Sequence, residues 1–128
     1  MDSDNLSTPR IPVSTYRLQF NRRFKFCDAK KIICYFHDLG ITDIYASPYC
    51  KAREGSLHGY DIVDHNTLNP EIGIEEEYHE MVQELGKYQM GQMLDIVPNH
   101  MCITSKENTW WMDVLENGPS SPLGILPL

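Results

Sequence analysis

The chain has 128 residues, the length of one ordinary domain, whereas an eight-stranded parallel barrel usually needs about 250. Its 18 acidic residues outnumber 11 basic ones, and the net charge of -7 argues against a nucleic-acid partner. No apolar run approaches the roughly 18 residues of a membrane span, and acids stand where a secretory signal carries bases. We therefore expect a cytoplasmic protein with no membrane partner.

The first third of the chain predicts two strands and a helix. Residues 1–11 are polar and predict a flexible lead-in. Residues 13–20 are rich in β-branched and aromatic side chains, which favours a strand. Asp28 is the predicted N-cap of a helix with one apolar face, which ends at Gly40. Residues 41–48 predict a second short strand, which ends at a proline because proline cannot continue a ladder.

A long connection and a second helix follow. Residues 49–73 contain three glycines and a proline among scattered polar residues, which predicts a functional loop. The acids 75–77 open a helix at the end where its dipole favours them, and Gly91 marks the turn out of it. Residues 93–97 predict a third strand, buried on both faces by flanking helices.

This order of strands and helices predicts an α/β fold with a parallel sheet. Two architectures remain open from the pattern alone: a doubly wound domain, and three units of a (β/α)8 barrel. The turn 21–24 after the first strand contains no glycine, so the chain lacks a Rossmann or P-loop fingerprint.

The end of the third predicted strand is the strongest candidate site. Asp95 interrupts an apolar run, and a carboxylate there must be hydrogen-bonded or paired. Asn99 and His100 follow at the strand mouth, where they can bond a sugar hydroxyl or a metal. The alternative is that His100 is an ordinary structural histidine.

The run from His58 to Asp61 is the second candidate. Tyr60 follows a glycine in the long loop, and an aromatic ring there can stack on the apolar face of a sugar. Neighbouring hydroxyl-binding groups, His58 and Asp61, can fix the orientation of that sugar. Alternatively, Tyr60 covers a small core of the loop itself.

A metal site has weaker support. The side chains that could be combined into one are His58, Asp64, His65, Asp95 and His100. They lack the HxxxH and HExxH spacings of zinc sites, and the four cysteines form no CxxC pair. Asn99 is more compatible with calcium, but other oxygen ligands would have to come from elsewhere. We expect reduced thiols, no cofactor and no firmly assigned metal.

These segments together resemble the α-amylase family, glycoside hydrolase family 13. Residues 95–100, Asp-Ile-Val-Pro-Asn-His, resemble its third-strand signature, and Gly59-Tyr60 with Asp64, Asn69 and Gly73 resembles its tyrosine loop. Segments 15–19, 45–48, 56–61 and 113–119 are similar to the maltooligosyl trehalose synthase branch of that family. The resemblance covers roughly residues 11 to 122.

The resemblance implies the first three βα units of an α-amylase-type (β/α)8 TIM barrel, truncated. It places the barrel part within residues 12–122, with an inserted domain starting after about residue 101. The apolar tail 123–128 departs from the family and looks like a frameshifted or truncated reading frame.

The resemblance also implies roles for single residues. For substrate binding it implies Tyr60, His100, His58 and Asp61; for bracing the site it implies Asp95, Asn99 and Asp64. Tyr60 would stack on the glucose before the cleaved bond, and His100 would bond hydroxyls of the same ring. Asn99 would fix the next loop, as it does through calcium in many amylases.

The implied activity is intramolecular transglucosylation, which converts the reducing-end α-1,4 linkage of a maltooligosaccharide to α,α-1,1. The two carboxylates of such a retaining reaction belong to later strands, so no catalytic residue is expected in this chain. The expected partner is a maltooligosaccharide or α-1,4-glucan, with self-association through the open barrel edge. The alternatives are a stand-alone maltooligosaccharide-binding or interaction module, and a non-functional truncated product.

Overall fold

Three parallel strands with two helices packed on one another form the centre of the computed structural model, which describes residues 10–124. The parallel sheet has the order β1-β2-β5, and a separate antiparallel pair joins β3 to β4. The strands are β1 Thr15–Leu18, β2 Asp43–Ala46, β3 Cys50–Ala52, β4 Ile62–Leu68 and β5 Gly91–Leu94. The helices are α1 Phe26–Asp38, α2 Glu75–Lys87 and α3 Thr109–Asn117, and a short 3-10 helix spans Gly118–Ser120.

The parallel strands confirm the predicted α/β fold. β1 pairs with β2 and β2 with β5, in chain order, and each crossover contains one helix. α1 and α2 pack against one another and share one apolar core with the sheet. A doubly wound sheet carries helices on both faces, so this one-sided packing favours the barrel arrangement.

The start of α1 differs from the prediction. Lys25 is the N-cap, and Asp28 lies one turn inside the helix, where its Oδ2 accepts a hydrogen bond from the Lys25 N–H at 3.1 Å. Asp28 still satisfies a backbone donor and complements the helix dipole. Gly40 follows the helix with φ = +88°, a conformation that glycine adopts without steric cost.

The core lies between the helices and the sheet. Phe26 and Ile33 of α1 and Met81 of α2 are fully buried. Tyr49 packs edge-on against Phe26 with ring centroids 5.0 Å apart. Burial of such side chains contributes on the order of 1.5–3 kcal/mol each, so these contacts hold the helices in place.

The connection predicted as a loop contains β3 and β4. β3 pairs antiparallel with β4, and the register shifts on either side of Lys51. β4 contains four consecutive polar residues, 64–67, so it lacks the alternation of a half-buried strand that would have predicted it. The connection is therefore an irregular hairpin that returns the chain to the start of α2.

The third parallel strand begins earlier than predicted and is less buried. β5 starts at Gly91, which was assigned to a turn, and Asp95 comes directly after the strand. Met93 and Leu94 are 37% and 44% exposed, so the prediction of burial on both faces was wrong for this chain. Among the described strands β5 has a partner, β2, on one side only. The other edge of β5 therefore has no strand partner among the described residues.

An ion pair lies at the amino end of β2, the first residue of which is Asp43. Arg10 donates to the carboxylate of Asp43 and, at 2.8 Å, to the carbonyl oxygen of Thr42. Asp43 is buried; burial raises its pKa, but hydrogen bonds from Arg10 and Thr42 outweigh that effect and lower it. Arg10 belongs to the predicted lead-in, residues 1–11, whose flexibility stays a prediction; these bonds link it to the start of β2. Residues 1–9 of the lead-in lie outside the described residues.

The segment after Asp95 ends in α3. Asn108 caps this helix by accepting from the Trp111 N–H at 3.0 Å, and it donates to the Cys102 carbonyl oxygen at 2.9 Å. α3 packs mainly on the 3-10 helix, and Trp110 is 37% exposed. Of the atypical tail, residues 125–128 lie outside the description. No helix between residues 10 and 124 combines the length and apolarity of a membrane span.

Candidate functional site

Arg17, Tyr45 and Asp95 meet at the carboxyl ends of the three parallel strands. Arg17 on β1 and Tyr45 on β2 are register partners, so their side chains leave the same face. The Asp95 N–H donates to the Ala46 carbonyl oxygen at 2.9 Å, which extends the ladder past β5. Arg17 Nη1 donates to Asp95 Oδ2 at 3.2 Å, and its guanidinium carbon lies 4.4 Å from the Tyr45 ring centroid.

Tyr60 enters this group from the loop between β3 and β4. Its hydroxyl donates to Asp95 Oδ2 and accepts from Arg17 Nη2 at 2.7 Å. Tyr45 also donates to the same carboxylate oxygen, at 3.3 Å. We call Arg17, Tyr45, Tyr60 and Asp95 the carboxylate cluster. Its bonds fix the phenol, because the donor and one acceptor position of the hydroxyl are both occupied.

The hydrogen bonds of the cluster shift the pKa values of Asp95 and Tyr60 in opposite directions. The bond from Tyr60 is the largest cause of a lowered pKa at Asp95, and bonds from Arg17 and Tyr45 add to it. The same bond to a carboxylate is the largest cause of a raised pKa at Tyr60. Asp95 is therefore an anion and Tyr60 a neutral phenol at physiological pH.

His58 lies against the Tyr60 ring. The two centroids are 6.2 Å apart and the planes are inclined by 23°. The Tyr60 N–H donates to His58 Nδ1 at 3.0 Å, which leaves Nε2 as the protonated nitrogen of a neutral ring. Nε2 lies 3.8 Å from Asp61 Oδ2. His58 is exposed, so this edge is open to a ligand.

Asp61 is held by the base of the same loop. Ser56 donates to Oδ1, and Arg53 Nε donates to Oδ2 at 3.2 Å. Burial raises the pKa of Asp61, but the hydrogen bonds from Ser56 and Arg53 lower it by more. Ser56 also accepts from the Gly59 N–H at 3.1 Å, and Gly59 has φ = +80°, which favours glycine.

His100 reaches the cluster from the segment after β5. Its Nε2 lies 3.2 Å from the Tyr60 carbonyl oxygen, to which it donates, and its Nδ1 lies 3.1 Å from Asn99 Oδ1. The histidine is exposed. His58 and His100 therefore bond the N–H and the carbonyl group of Tyr60, respectively.

The structure brings most of the predicted site residues together. Those that share the neighbourhood of Tyr60 are His58, Asp61, Asp95 and His100, with Asn99 beside His100. Asp64 instead makes local bonds on β4, accepting from the Asn66 N–H at 2.9 Å and from Thr67 Oγ1 at 3.0 Å. The backbone bond to Asn66 is the largest cause of the lowered pKa of Asp64.

Sequence reasoning did not assign a role to Arg17, Tyr45 or Ser56. Arg17 is a charged residue between Tyr16 and Leu18 in a four-residue strand, which was the available signal. Tyr45 and Ser56 carry no comparable signal, because their contacts depend on strand register and on the path of the hairpin. Each of them contacts a residue that was predicted.

The described residues do not fit a metal centre. Across residues 10–124, no group of three or more His, Cys, Asp and Glu side chains is placed to hold an ion. Asn99 Oδ1 already lies within hydrogen-bond distance of His100. Calcium needs six to eight oxygen ligands, so we derive no step through a metal.

An open groove of about 740 Å³ lies elsewhere, between β4, the start of α2 and the end of β5. Its lining includes Tyr49, His65, Tyr78 and Leu94 but no member of the carboxylate cluster. The groove adjoins the uncovered side of β5. We therefore place the functional site at the carboxylate cluster and not in this groove.

Comparison with known proteins identifies the family to which this fold belongs. Residues 29–122 match the family described as "Alpha amylase, catalytic domain". A putative maltooligosyl trehalose synthase of Mycobacterium tuberculosis is 40% identical over 115 residues, which cover 85% of this chain and 15% of that protein. The chain thus spans about a seventh of the length of the curated relatives it matches.

Solved structures give the same result. Maltooligosyltrehalose synthase from Arthrobacter ramosus is 41% identical with a TM-score of 0.86, covering 88% of this chain and 15% of that one. A hypothetical maltooligosyl trehalose synthase of Sulfolobus tokodaii is 46% identical with a TM-score of 0.81, covering 88% and 16%. The fold is that of the first three βα units of the barrel in these enzymes. The chain belongs to the α-amylase family, and the relatives that match at least 85% of it at 40% identity or more include maltooligosyl trehalose synthases.

Proposed function

We propose that this chain supplies part of the maltooligosaccharide-binding site of an enzyme that converts the reducing-end α-1,4 linkage to α,α-1,1. Tyr60 stacks on one glucose ring, while His58, Asp61 and His100 bond its hydroxyls. The observation that carries this assignment is the double anchoring of the Tyr60 hydroxyl by Arg17 and Asp95. It fixes an aromatic ring that has the exposed His58 beside it and the exposed His100 at its backbone carbonyl, and such a ring can stack on a sugar.

The carboxylates of Asp95 and Asp61 hold neighbouring side chains in place, and we assign neither of them a catalytic role. Asp95 Oδ2 accepts from three side chains, and both oxygens of Asp61 are engaged. A retaining transfer needs a free nucleophile and an acid about 5 to 5.5 Å apart. We therefore assign the nucleophile and the acid/base to later strands of the barrel. In this proposal Asp95 braces the strand ends and Asn99 braces the following loop.

Calorimetry with maltopentaose tests the binding proposal. We expect the chain to bind the sugar and Tyr60→Ala to weaken binding by at least about tenfold, or 1.4 kcal/mol. Tyr35→Ala is the matched control, because Tyr35 is a 63% exposed tyrosine on α1. Equal affinities of the native chain and Tyr60→Ala, or no heat at millimolar sugar from a cooperatively folded chain, would contradict the proposal.

Activity is tested separately. The chain incubated with maltopentaose should release no product with a trehalosyl end, because the reacting carboxylates are assigned elsewhere. Chromatography with pulsed detection of the sugars gives the answer. Turnover that Tyr60→Ala abolishes would show that the chain carries its own catalytic groups.

A further inference from the structure

We propose that Arg17 is a positioning residue for the Tyr60 ring, and this inference rests on the function proposed above. Arg17 connects three parts of the chain that are remote in sequence. It lies on β1, its guanidinium covers the Tyr45 ring of β2, and its two terminal nitrogens donate to Asp95 and Tyr60. The ring is thereby held in place before a sugar arrives.

The geometry of the guanidinium makes this connection specific. Nη1 and Nη2 diverge from one planar group, so a single side chain donates to a carboxylate and to a phenol at the same time. The Tyr45 ring, 4.4 Å beneath the guanidinium carbon, fixes the plane of the fork. A lysine carries the same charge on a compact ammonium without a plane, so it does not reproduce this arrangement.

The charge balance supports the same role. Asp95 receives hydrogen bonds from two tyrosines, and the cation of Arg17 is its partner of opposite charge. Without that cation the carboxylate would attract the Tyr60 hydrogen while losing its own anchor to β1. The ring would then keep its link to β2 through Asp95 but lose its link to β1.

The backbone of the neighbouring loop is held from β1 as well. Gln19 Nε2, just after β1, donates to the His58 carbonyl oxygen at 2.9 Å. Arg17 and Gln19 therefore hold the side chain of Tyr60 and the backbone of His58 from one strand. The arginine acts on the ligand through Tyr60 and is not itself a catalytic residue.

A ligand-free titration tests the inference on the full chain. The alkaline titration of Tyr60 is followed by ¹³C NMR of labelled tyrosine, with the resonance assigned by its loss in Tyr60→Phe. We expect Arg17→Met to raise the Tyr60 pKa, because the hydrogen bond and the cation that lower it are lost. Asp95→Asn should lower it, because the carboxylate that favours the neutral phenol is removed. Arg23→Met is the charge-matched control in the turn after β1 and should leave it unchanged.

Maltopentaose binding gives the second readout. Arg17→Met should weaken binding by about tenfold, Arg17→Lys by less, and Arg23→Met not at all. An unchanged Tyr60 titration in Arg17→Met, or native affinity in that variant, overturns the inference even if the native chain binds sugar. Absence of binding by the native chain overturns the proposed function instead, and the titration then decides the role of Arg17. If Arg17→Met does not fold, Arg17→Lys and Asp95→Asn carry the titration, and unchanged values in both overturn the inference.

Discussion

Tyr60 donates its phenol hydrogen to Asp95, a residue 35 positions later in the chain. This bond joins the loop between β3 and β4 to the end of the parallel sheet. Because Asp95 also accepts from Arg17 and Tyr45, the bond belongs to a network and not to an isolated pair. A substitution at any member should therefore alter the position of the Tyr60 ring, which we assign to sugar binding.

Asp95→Asn should destabilise the chain in a pH-dependent way. The folded pKa of Asp95 is lowered, so its stabilisation is present above the unfolded value of about 3.9 and is lost as pH falls through the folded value. We expect a loss of about 1–3 kcal/mol at pH 7 that shrinks on acidification. Urea unfolding at pH 7, 5 and 3 measures it. Asp38→Asn, an exposed change at the end of α1, is the control, and a gap that stays constant over this range would contradict the prediction.

Gly91→Ala should destabilise the start of β5. A methyl group there would collide with the buried Asp43 carboxylate and with the Arg10 guanidinium, and the ion pair would have to move. We expect a loss of about 1–3 kcal/mol in thermal unfolding. Gly86→Ala is the control: Gly86 lies in α2 with no atom in the way, and alanine should stabilise that helix by about 0.5–1 kcal/mol. A Gly91→Ala variant as stable as the native chain would show that the pair tolerates the methyl group.

Ser56→Ala should loosen the loop that carries Tyr60. Ser56 is buried and bonds both Asp61 and the Gly59 N–H, so alanine leaves Asp61 Oδ1 and the Gly59 N–H without these bonds. The unfolding free energy should fall by about 1–3 kcal/mol. The pKa of Asp61 should rise, because a bond that lowers it is lost. Carboxyl ¹³C titration and thermal melts check both; Ser120→Ala, at an exposed position, should change neither.

Asn108→Ala tests whether the segment after β5 is ordered by its cap. Asn108 is fully buried, and its amide group bonds the Trp111 N–H and the Cys102 carbonyl oxygen. Its loss should cost about 1–3 kcal/mol and increase amide exchange in α3. Asn117→Ala removes an exposed bond to Asp113 and should cost less. Unchanged exchange in α3 would mean that other contacts hold this helix.

The regular elements could be predicted because their signals are local. Apolar side chains at helical spacing predicted α1 and α2, and short apolar runs predicted the three parallel strands. The predicted boundaries of the elements were less accurate. Asp28 lies inside α1 and not at its N-cap, and β5 begins at Gly91, two residues before the predicted start. Those boundaries depend on which backbone groups find partners, which the pattern alone does not state.

The family was recognisable from the sequence because its motifs are contiguous. Residues 95–100 and the run from His58 to Asp61 each lie in a few neighbouring positions, so no knowledge of folding is needed to find them. The sequence by itself therefore determined the fold class, the family and most of the side chains around Tyr60.

Only the tertiary structure decided how those side chains are held. The register of β1 against β2 places Arg17 beside Tyr45, and the hairpin of β3 and β4 carries Tyr60 to both. The pairing of β3 with β4 is polar and shifted in register, so the sequence pattern did not predict this hairpin. A contact among four residues spread from position 17 to position 95 arises from strand register and chain path together, and neither property is encoded in any short segment.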